Sequence, residues 1–260
     1  MAPSEGRTGA SVLGSHIDAV DWGACLDRIF DWARAGESRY VCLCNAHSVV
    51  TARRDPAFAR VLGAADLAAP DGAPVAWCLR RLGFPHQRRI AGPDLMWKTC
   101  ERASAEGVPV FLCGGTAATL ERLAARLERE FPRLKLAGSL SPPFRKLTGD
   151  DHAAIVRAVE RSGARIVFVG LGCPSQEEWM AARRGALPAV MIGVGAAFDF
   201  HAGAVRRAPR WMREAGLEWL HRLLAEPRRL WRRYLVTNAL FLTYLLGDSM
   251  AGDRRRSVER

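Results

Sequence analysis

The stretch at residues 165–179 constrains the fold more than any other, because it has the pattern of a strand, a glycine turn and a helix start. Residues 166–169 form a continuous run of β-branched and aromatic apolar side chains, which is typical of a strand buried on both faces. Gly170 and Gly172 permit a sharp turn close to a ligand, and Pro174 suits a first helical turn. Such a turn can aim backbone N–H groups at a phosphate, although a plain tight turn is an equal alternative.

Five further apolar segments have the same character, and residues typical of turns or helices follow each of them. The predicted strands lie at residues 41–44, 66–69, 108–112, 134–138 and 189–195. Helical periodicity separates them, most clearly where Leu120, Leu123 and Leu127 follow the predicted N-cap Thr116. Alternating strands and helices of these lengths predict an α/β fold with a doubly wound, mostly parallel, Rossmann-like sheet.

Ligands of such sheets bind where the carboxyl ends of the strands open into a crevice. Asp71 follows a predicted strand there and is the best-placed general base, because a carboxylate can take a proton from an acceptor hydroxyl. Its alternative role is to cap a helix at residues 72–79. Asp94, in the loop that enters the next helix, is a candidate substrate-site carboxylate, with a helix cap alone as the alternative. The other candidates at strand ends are Asn45, Gly114, Gly115, Gly170, Gly172 and Asp199.

Positive charge is concentrated near the C-terminal end. The net charge is +11, and residues 201–260 contain thirteen arginines and six acidic residues, which predicts an anionic partner such as a membrane surface, a diphosphate or a nucleic acid. Tryptophans and leucines accompany these arginines and predict a basic helical appendage at residues 206–246, called the appendage below. Its apolar run at residues 234–246 is shorter than the roughly 20 residues that span a bilayer. An interfacial amphipathic helix on anionic lipid fits better, and a helix simply packed on the domain is the alternative.

These patterns divide the chain into a flexible lead-in (1–14), an α/β domain (15–205), the appendage (206–246) and a basic flexible tail (247–260). The lead-in has no secretion-signal pattern, so we expect a cytoplasmic protein. The seven cysteines and six histidines form no CxxC or HExxH spacing. We therefore expect reduced packing cysteines, no metal and no cofactor.

Two alternative functions account for less of the sequence. A dinucleotide-binding oxidoreductase that uses NAD would need a third glycine where Ser175 stands, and its strand–helix unit would come first in the sheet, not last. A nucleic-acid-binding protein would use the appendage, whose arginines lie at helical spacing beside long aliphatic residues and suit lipid better. A transferase with a nucleotide-activated donor needs N–H groups and arginines for a diphosphate and a carboxylate for a hydroxyl, and the crevice offers all three.

Seven motifs, in order along residues 15–245, resemble the WecG/TagA/CpsF glycosyltransferases. They are Asn45, Pro70-Asp71-Gly72, Arg89-x-Ala91-Gly92-x-Asp94-Leu95, Gly170-Leu171-Gly172-x-Pro174-x-Gln176-Glu177, Gly193-Val194-Gly195-x-x-Phe198-Asp199-Phe200-x-Ala202-Gly203, Arg207-Ala208-Pro209 and Gly216-Leu217-Glu218-Trp219-Leu220-x-Arg222. The resemblance implies an inverting, metal-independent transferase that moves a sugar from a UDP donor to a polyprenyl-diphosphate-linked acceptor. It implies surface polysaccharide or exopolysaccharide biosynthesis, by a protein peripheral on the inner face of the cell membrane. The family's donors are N-acetylmannosamine, its uronic acid and glucuronic acid, and the sequence does not choose among them.

The same resemblance assigns roles to individual residues. Asp71 matches the catalytic base, Asn45 and Gln176 match active-site polar residues, and Arg89 matches a substrate-site arginine. We expect the substrate-binding set to comprise Asn45, Arg89, Asp94, Gly114, Gly115, Gly170, Gly172, Gln176, Asp199 and three appendage arginines that close on the diphosphates, Arg222, Arg229 and Arg232.

Two positions depart from the family pattern, Leu43 where a hydroxyl residue is common and Ser175 where a lysine is. Both are expected to affect sugar preference or affinity. No nucleic-acid partner is expected, and a homo-oligomer formed with the appendage detached is compatible with the sequence.

Overall fold

The computed structural model describes residues 7–145 and 147–258, without the side chains of Arg229 and residues 249–258. The strands are β1 (Gly9–Val12), β2 (Ser15–Asp18), β3 (Arg39–Cys44), β4 (Leu67–Pro70), β5 (Val110–Gly114), β6 (Leu136–Leu140), β7 (Ile166–Gly170) and β8 (Val190–Gly193). The helices are α1 (Trp22–Ala35), α2 (Ala46–Arg54), α3 (Pro56–Gly63), α4 (Ala73–Arg81), α5 (Gly92–Glu106), α6 (Ala117–Glu130), α7 (Gly149–Ser162), α8 (Ser175–Ala181), α9 (Ala197–His201), α10 (Arg210–Glu214), α11 (Glu218–Ala225) and α12 (Pro227–Val258).

Six strands form one parallel sheet in the order β4-β3-β8-β7-β5-β6. All six strands predicted from the sequence are present, with ends that differ by at most two residues. Successive side chains of a strand point to opposite faces of the sheet. In β3 both sets of side chains are buried, so the sheet is covered on both faces. Tyr40, Cys42 and Cys44 pack in one core cluster, whereas Val41 and Leu43 pack in the other. The predicted doubly wound α/β fold is therefore confirmed.

The N-terminal residues contain a hairpin that the sequence analysis missed. β1 pairs antiparallel with β2 through a turn in which Leu13 and Gly14 have positive φ. Asp18, at the end of β2, is fully buried and accepts hydrogen bonds from Arg7 Nε at 2.8 Å and from the Ala68 backbone N–H at 2.6 Å. The lead-in predicted at residues 1–14 was therefore too long, and its first six residues lie outside the described part of the chain.

The C-terminal residues form the helices α10, α11 and α12. Leu230 and Phe241 of α12 are buried, and an ion pair of 2.9 Å joins Arg53 of α2 to Asp248. α12 continues to Val258, so residues 247–258 of the predicted flexible tail are helical, and residues 259–260 lie outside the described part. Within the described residues, no helix combines the length and the apolar character needed to cross a bilayer.

Candidate active site

Two cavities open along the edge of the sheet where the parallel strands end. The first, called the Asp71 cavity, has a volume of about 540 Å³ and is lined by residues that follow β3 and β4 and by residues of the appendage. The second, called the Gly170 cavity, has a volume of about 670 Å³, and its lining comprises Gly115, Pro142, Pro143, Phe144, Arg145, Leu147, His152, Gly170, Leu171, Ser175, Glu178, Trp179, Ala182 and Arg183. Because β3, β8 and β7 follow β4 in the sheet, Asp71 and Gly170 are separated by three strand spacings, or about 14 Å.

Asp71 lies in the turn between β4 and α4. Its backbone N–H donates to the Cys44 carbonyl at 2.9 Å, which joins the ends of β4 and β3. The N-cap of α4 is Gly72, with a φ of 83° and no side-chain capping bond. The Asp71 side chain therefore does not cap α4, contrary to the alternative interpretation of the sequence, and the Asp71 carboxylate is available to the cavity.

The surroundings of Asp71 favour a general base. Burial raises the pKa of the Asp71 carboxyl to about 6, and the negative charge of Glu218 also raises it. The positive charge of Arg89 and hydrogen bonds from Asn45 and the Gly72 backbone N–H act in the opposite direction. A carboxylate with a pKa near 6 is ionised at neutral pH and accepts a proton more readily than an ordinary aspartate.

Asn45 connects this carboxylate to the start of α2. Its side-chain oxygen accepts from the backbone N–H groups of His47 at 3.0 Å and Ser48 at 3.2 Å, as the N-cap of α2. Since these bonds occupy the amide oxygen, the amide NH₂ is the group left to donate to Asp71. The cap thus fixes the orientation of a side chain that lines the Asp71 cavity.

A chain of ion pairs crosses from the α/β domain to the appendage beside Asp71. Arg89 Nη1 lies 3.0 Å from Glu218 Oε2, and Arg207 Nε lies 3.0 Å from Glu218 Oε1. Arg207 also donates two parallel hydrogen bonds to Asp94, from Nη1 to Oδ1 at 2.6 Å and from Nη2 to Oδ2 at 2.7 Å. Asp94 stands in the first turn of α5 and pairs with Arg207, so it neither caps the helix nor lines the Asp71 cavity.

The appendage arginines occupy different places. Arg222 lines the Asp71 cavity, with its guanidinium 5.4 Å from the centre of the Phe200 ring. Arg232 is exposed and stacks on Trp231 at 5.2 Å, outside the cavity, whereas the neighbouring Arg233 lines it. The side chain of Arg229 lies outside the described residues.

His47, Glu218 and Arg233 line the Asp71 cavity but were not among the residues predicted from sequence. Burial and the charge of Arg233 lower the pKa of His47 to about 4, so its imidazole is neutral at physiological pH. Its Nδ1 lies 3.4 Å from the Thr237 hydroxyl of α12. Adjacency to Asn45 and membership of the motif at residues 216–222 were the only sequence signals for His47 and Glu218.

Glycines make the turns of the Gly170 cavity possible. A Cβ on Gly114 would lie 2.5 Å from the Gly170 carbonyl oxygen, and one on Gly170 would lie 2.9 Å from Phe198. Gly115 and Gly170 line the cavity, whereas Gly114 and Gly172 do not. Gly172 has a φ of 82° and open space around it, so its role in the turn is conformational.

Gln176 is buried beside the end of the central strand β8 and lines neither cavity. A Cβ atom on Gly193 would lie 3.1 Å from the Gln176 amide nitrogen, which donates a hydrogen bond to Glu177 Oε1 at 2.8 Å. Burial raises the pKa of Glu177 to about 7. Asp199 stands in α9 after the same strand and lines neither cavity.

A comparison with protein families decides the class. The model of the "Glycosyl transferase WecG/TagA/CpsF family" matches residues 10–255. The chain belongs to this family. WecG/TagA/CpsF proteins are glycosyltransferases that act in cell-surface polysaccharide synthesis.

The two departures from the WecG/TagA/CpsF pattern fall in different environments. Leu43 is 5% exposed in β3, where its side chain would lie 3.2 Å from a Cβ on Gly92. Its first role is therefore core packing. Ser175 is exposed at the start of α8 and lines the Gly170 cavity, where a lysine would bring a positive charge. Among the described residues, no group of three acidic, histidine or cysteine side chains is placed to hold a metal ion.

Proposed function

We propose that this family member is an inverting hexosyltransferase that moves a sugar from a UDP donor to a polyprenyl-diphosphate-linked acceptor sugar. The observation that supports this most is the Asp71 cavity, in which a carboxylate with a pKa near 6 shares one space with Arg89, Arg222 and Arg233. A carboxylate suits deprotonation of an acceptor hydroxyl, and guanidinium groups suit the diphosphates that flank the reacting sugars.

The two cavities suit the two substrates. We assign the UDP moiety of the donor to the Gly170 cavity, where Arg145 and Arg183 accompany the glycine turns. The acceptor then enters the Asp71 cavity, and the donor sugar crosses the end of β8 near Gln176. The separation of about 14 Å between Asp71 and Gly170 leaves room for a diphosphate and a sugar between them.

The reaction is a single displacement. The Asp71 carboxylate takes the proton of the acceptor hydroxyl while that oxygen bonds to the anomeric carbon of the donor. The bond between this carbon and the diphosphate oxygen breaks on the opposite face, so the configuration inverts and UDP leaves with the electron pair. Arg89, Arg222 and Arg233 would offset the negative charge near the reacting centre, as preorganised donors do in other transferases.

The lipid part of the acceptor points to the membrane. Trp77, Tyr234, Phe241 and Leu245 form an apolar side of the Asp71 cavity. Large exposed apolar side chains continue along α12, namely Trp231, Leu235, Val236, Leu242 and Leu246. We propose that this surface and the neighbouring arginines hold the protein peripherally on the cytoplasmic face of the membrane.

The deciding experiment is a turnover screen of UDP-sugars with a short-chain polyprenyl-diphosphate-linked acceptor sugar. We expect release of UDP and an inverted glycosidic linkage with one donor, and calorimetry should show binding of UDP but not of NAD. Tight binding of NAD with no binding of UDP would contradict the transferase and favour the oxidoreductase.

A second experiment tests the membrane assignment. The intact chain and a chain truncated before Arg206 are sedimented with vesicles containing anionic lipid, and gel shift with single-stranded nucleic acid is run in parallel. The intact chain should bind vesicles more weakly as salt rises, because exposed charges are screened, and should retain some binding through its apolar residues. Equal vesicle binding by both chains would place the contact elsewhere, and gel shift without vesicle binding would favour a nucleic-acid partner.

A further inference from the structure

Glu218 is an acidic side chain in a part of the chain that is rich in arginine. Its two carboxylate oxygens contact different arginines, with Oε2 at 3.0 Å from Arg89 Nη1 and Oε1 at 3.0 Å from Arg207 Nε. The Glu218 side chain is only 15% exposed and lines the Asp71 cavity. A carboxylate so placed acts on the site and does not belong to the solvated surface.

Two tight contacts fix the segment that carries Glu218. Arg207 holds Asp94 with two charge-assisted hydrogen bonds, the geometry in which a guanidinium is most specific. Gly216 approaches α4 so closely that a Cβ there would lie 2.7 Å from the Ala73 Cβ. Since Ala73 is two residues beyond Asp71, the appendage is pressed against the turn that holds this carboxylate.

The charges around Asp71 explain why a second carboxylate matters. The groups that line the same cavity are Arg89 from the segment before α5, Arg222 and Glu218 from α11, Arg233 from α12 and the neutral His47 from α2, with the buried thiol of Cys44 behind. Three of these are guanidinium groups, which stabilise an ionised carboxylate and make it a poorer proton acceptor. Glu218 neutralises part of this positive charge through its contact with Arg89.

We propose that Glu218 is a positioning residue, which orients Arg89 in the Asp71 cavity and, through its negative charge, makes Asp71 a stronger proton acceptor when the appendage is docked. The α/β domain carries the base, and the appendage supplies the charge that adjusts it. This inference rests on the proposed function, in which Asp71 takes the proton of the acceptor hydroxyl.

The test measures the titration of Asp71 directly, by NMR of protein with ¹³C-labelled aspartate carboxyl groups, with Asp71→Asn used to assign the signal. In Glu218→Gln the Asp71 midpoint should fall by about one pH unit, because a nearby like charge is lost and Arg89 is left unbalanced. The matched control is Glu214→Gln, which removes the same charge from an exposed carboxylate that pairs with Arg210 on α10. In Glu214→Gln the midpoint of Asp71 should equal that of the unmodified protein.

Glu218→Asp separates charge from geometry, because it keeps the carboxylate and withdraws it from Arg89. We expect a smaller fall of the midpoint than in Glu218→Gln, and this variant decides the question if Glu218→Gln does not fold. A purely structural ion pair would lower the melting temperature of these variants and leave the Asp71 midpoint in place. An unmoved midpoint in a folded variant would therefore overturn the proposal.

Kinetics give an independent readout. The acid limb of the kcat/KM profile should move to lower pH in Glu218→Gln, and kcat at pH 8 should fall about threefold, because the rate of proton transfer follows only part of a one-unit fall in the pKa of the base. The KM for the UDP-sugar should change little. A wild-type protein without turnover on any UDP-sugar would refute the proposed function and leave the NMR result to judge Glu218 by itself.

Discussion

The two cavities at the edge of one sheet differ in how they are built. The described residues that line the Gly170 cavity, from Gly115 to Arg183, all belong to the α/β domain. The Asp71 cavity is shared, with Asn45, Asp71 and Arg89 on one side and Glu218, Arg222 and Arg233 of the appendage on the other. The proposed nucleotide site is thus complete in the domain, whereas the proposed site of chemistry is complete only with the appendage.

The contacts that form each cavity differ in kind as well. At the Gly170 cavity the ends of β5 and β7 approach so closely that Gly114 has no room for a side chain. At the Asp71 cavity the two sides meet through ion pairs whose side chains are 15–34% exposed. Partly exposed ion pairs stabilise by little and are weakened by salt, so apolar contacts, such as that of the buried Phe241 in the core cluster of the domain, contribute much of the hold on the appendage.

The largest expected effect comes from removing the proposed base of the Asp71 cavity. Asp71→Asn keeps the shape of the side chain and removes the proton acceptor, so kcat should fall by about 100-fold or more. Binding of UDP, measured by calorimetry, should stay within experimental error, because the Gly170 cavity is about 14 Å away. Near-normal turnover would remove Asp71 from the mechanism.

The same variant should be more stable than the native protein at pH 8. The folded-state pKa of Asp71 is about 6 against an ordinary value of 3.8, so ionising it in the folded state costs free energy above the unfolded pKa. Asp71→Asn removes this cost, and we expect a gain of about 1 kcal/mol, reduced from the full linkage value because the side chain is partly exposed. The gain should shrink as the pH falls from about 6 through 3.8 and disappear near pH 3, where the carboxyl is protonated in both states. A variant that is less stable at pH 8 would contradict this assignment.

The next effect tests which appendage arginine belongs to the shared cavity. Arg233→Ala should lower kcat/KM about 30-fold, less than the roughly 10²–10³-fold lost when a buried oxyanion-hole donor is removed, because Arg233 is exposed. The matched control is Arg232→Ala, since Arg232 precedes it on α12 and stacks on Trp231 outside the cavity. Equal losses in the two variants, or a larger loss in Arg232→Ala, would support the role that the family resemblance gave to Arg232.

This pair illustrates what sequence could and could not predict. The six parallel strands and the placement of Asn45 and Asp71 at their carboxyl ends followed from local patterns of apolar residues and turns. Which arginine of α12 faces Asp71 depends on how a helix docks on the domain, and a rotation of one residue, about 100°, changes the answer. The hairpin of β1 and β2 was missed for a related reason, because it is held partly by the buried Asp18, which accepts from the backbone N–H of Ala68, 50 residues further along the chain.

A smaller effect should follow from pH. Above pH 7 the Asp71 carboxyl is ionised and accepts a proton, and as the pH falls through about 6 it becomes protonated and activity is lost. We expect kcat/KM at pH 5 to be about tenfold lower than at pH 8. His47 does not contribute in this range, because its pKa is about 4.

Glu177, whose pKa is about 7, is the competing source of such a limb. Glu177→Gln keeps the hydrogen-bonding shape of this buried side chain and removes its titration. The limb near pH 6 should persist in this variant, and its disappearance would assign the limb to Glu177.

The smallest effect concerns the other end of the comparison, where the chain departs from its family at Ser175. A lysine at this exposed position would bring a positive charge to the rim of the Gly170 cavity. If UDP binds there, Ser175→Lys should tighten UDP binding about fivefold, the order of 1 kcal/mol that a partly exposed charge pair contributes. Glu178 lines the same cavity and competes for the new ammonium group, which keeps the gain small.

Ser175→Gln provides a neutral side chain of comparable reach and should leave the affinity unchanged, and the gain of the lysine variant should vanish in about 1 M salt, where the screening length is about 3 Å. Ser175 lies in the α/β domain beside the Gly170 cavity, whereas the Asp71 cavity is completed by the appendage. The substitution should therefore leave kcat unchanged. A lysine variant that altered kcat and not UDP affinity would place the donor's reacting end, and not its nucleotide, in the Gly170 cavity.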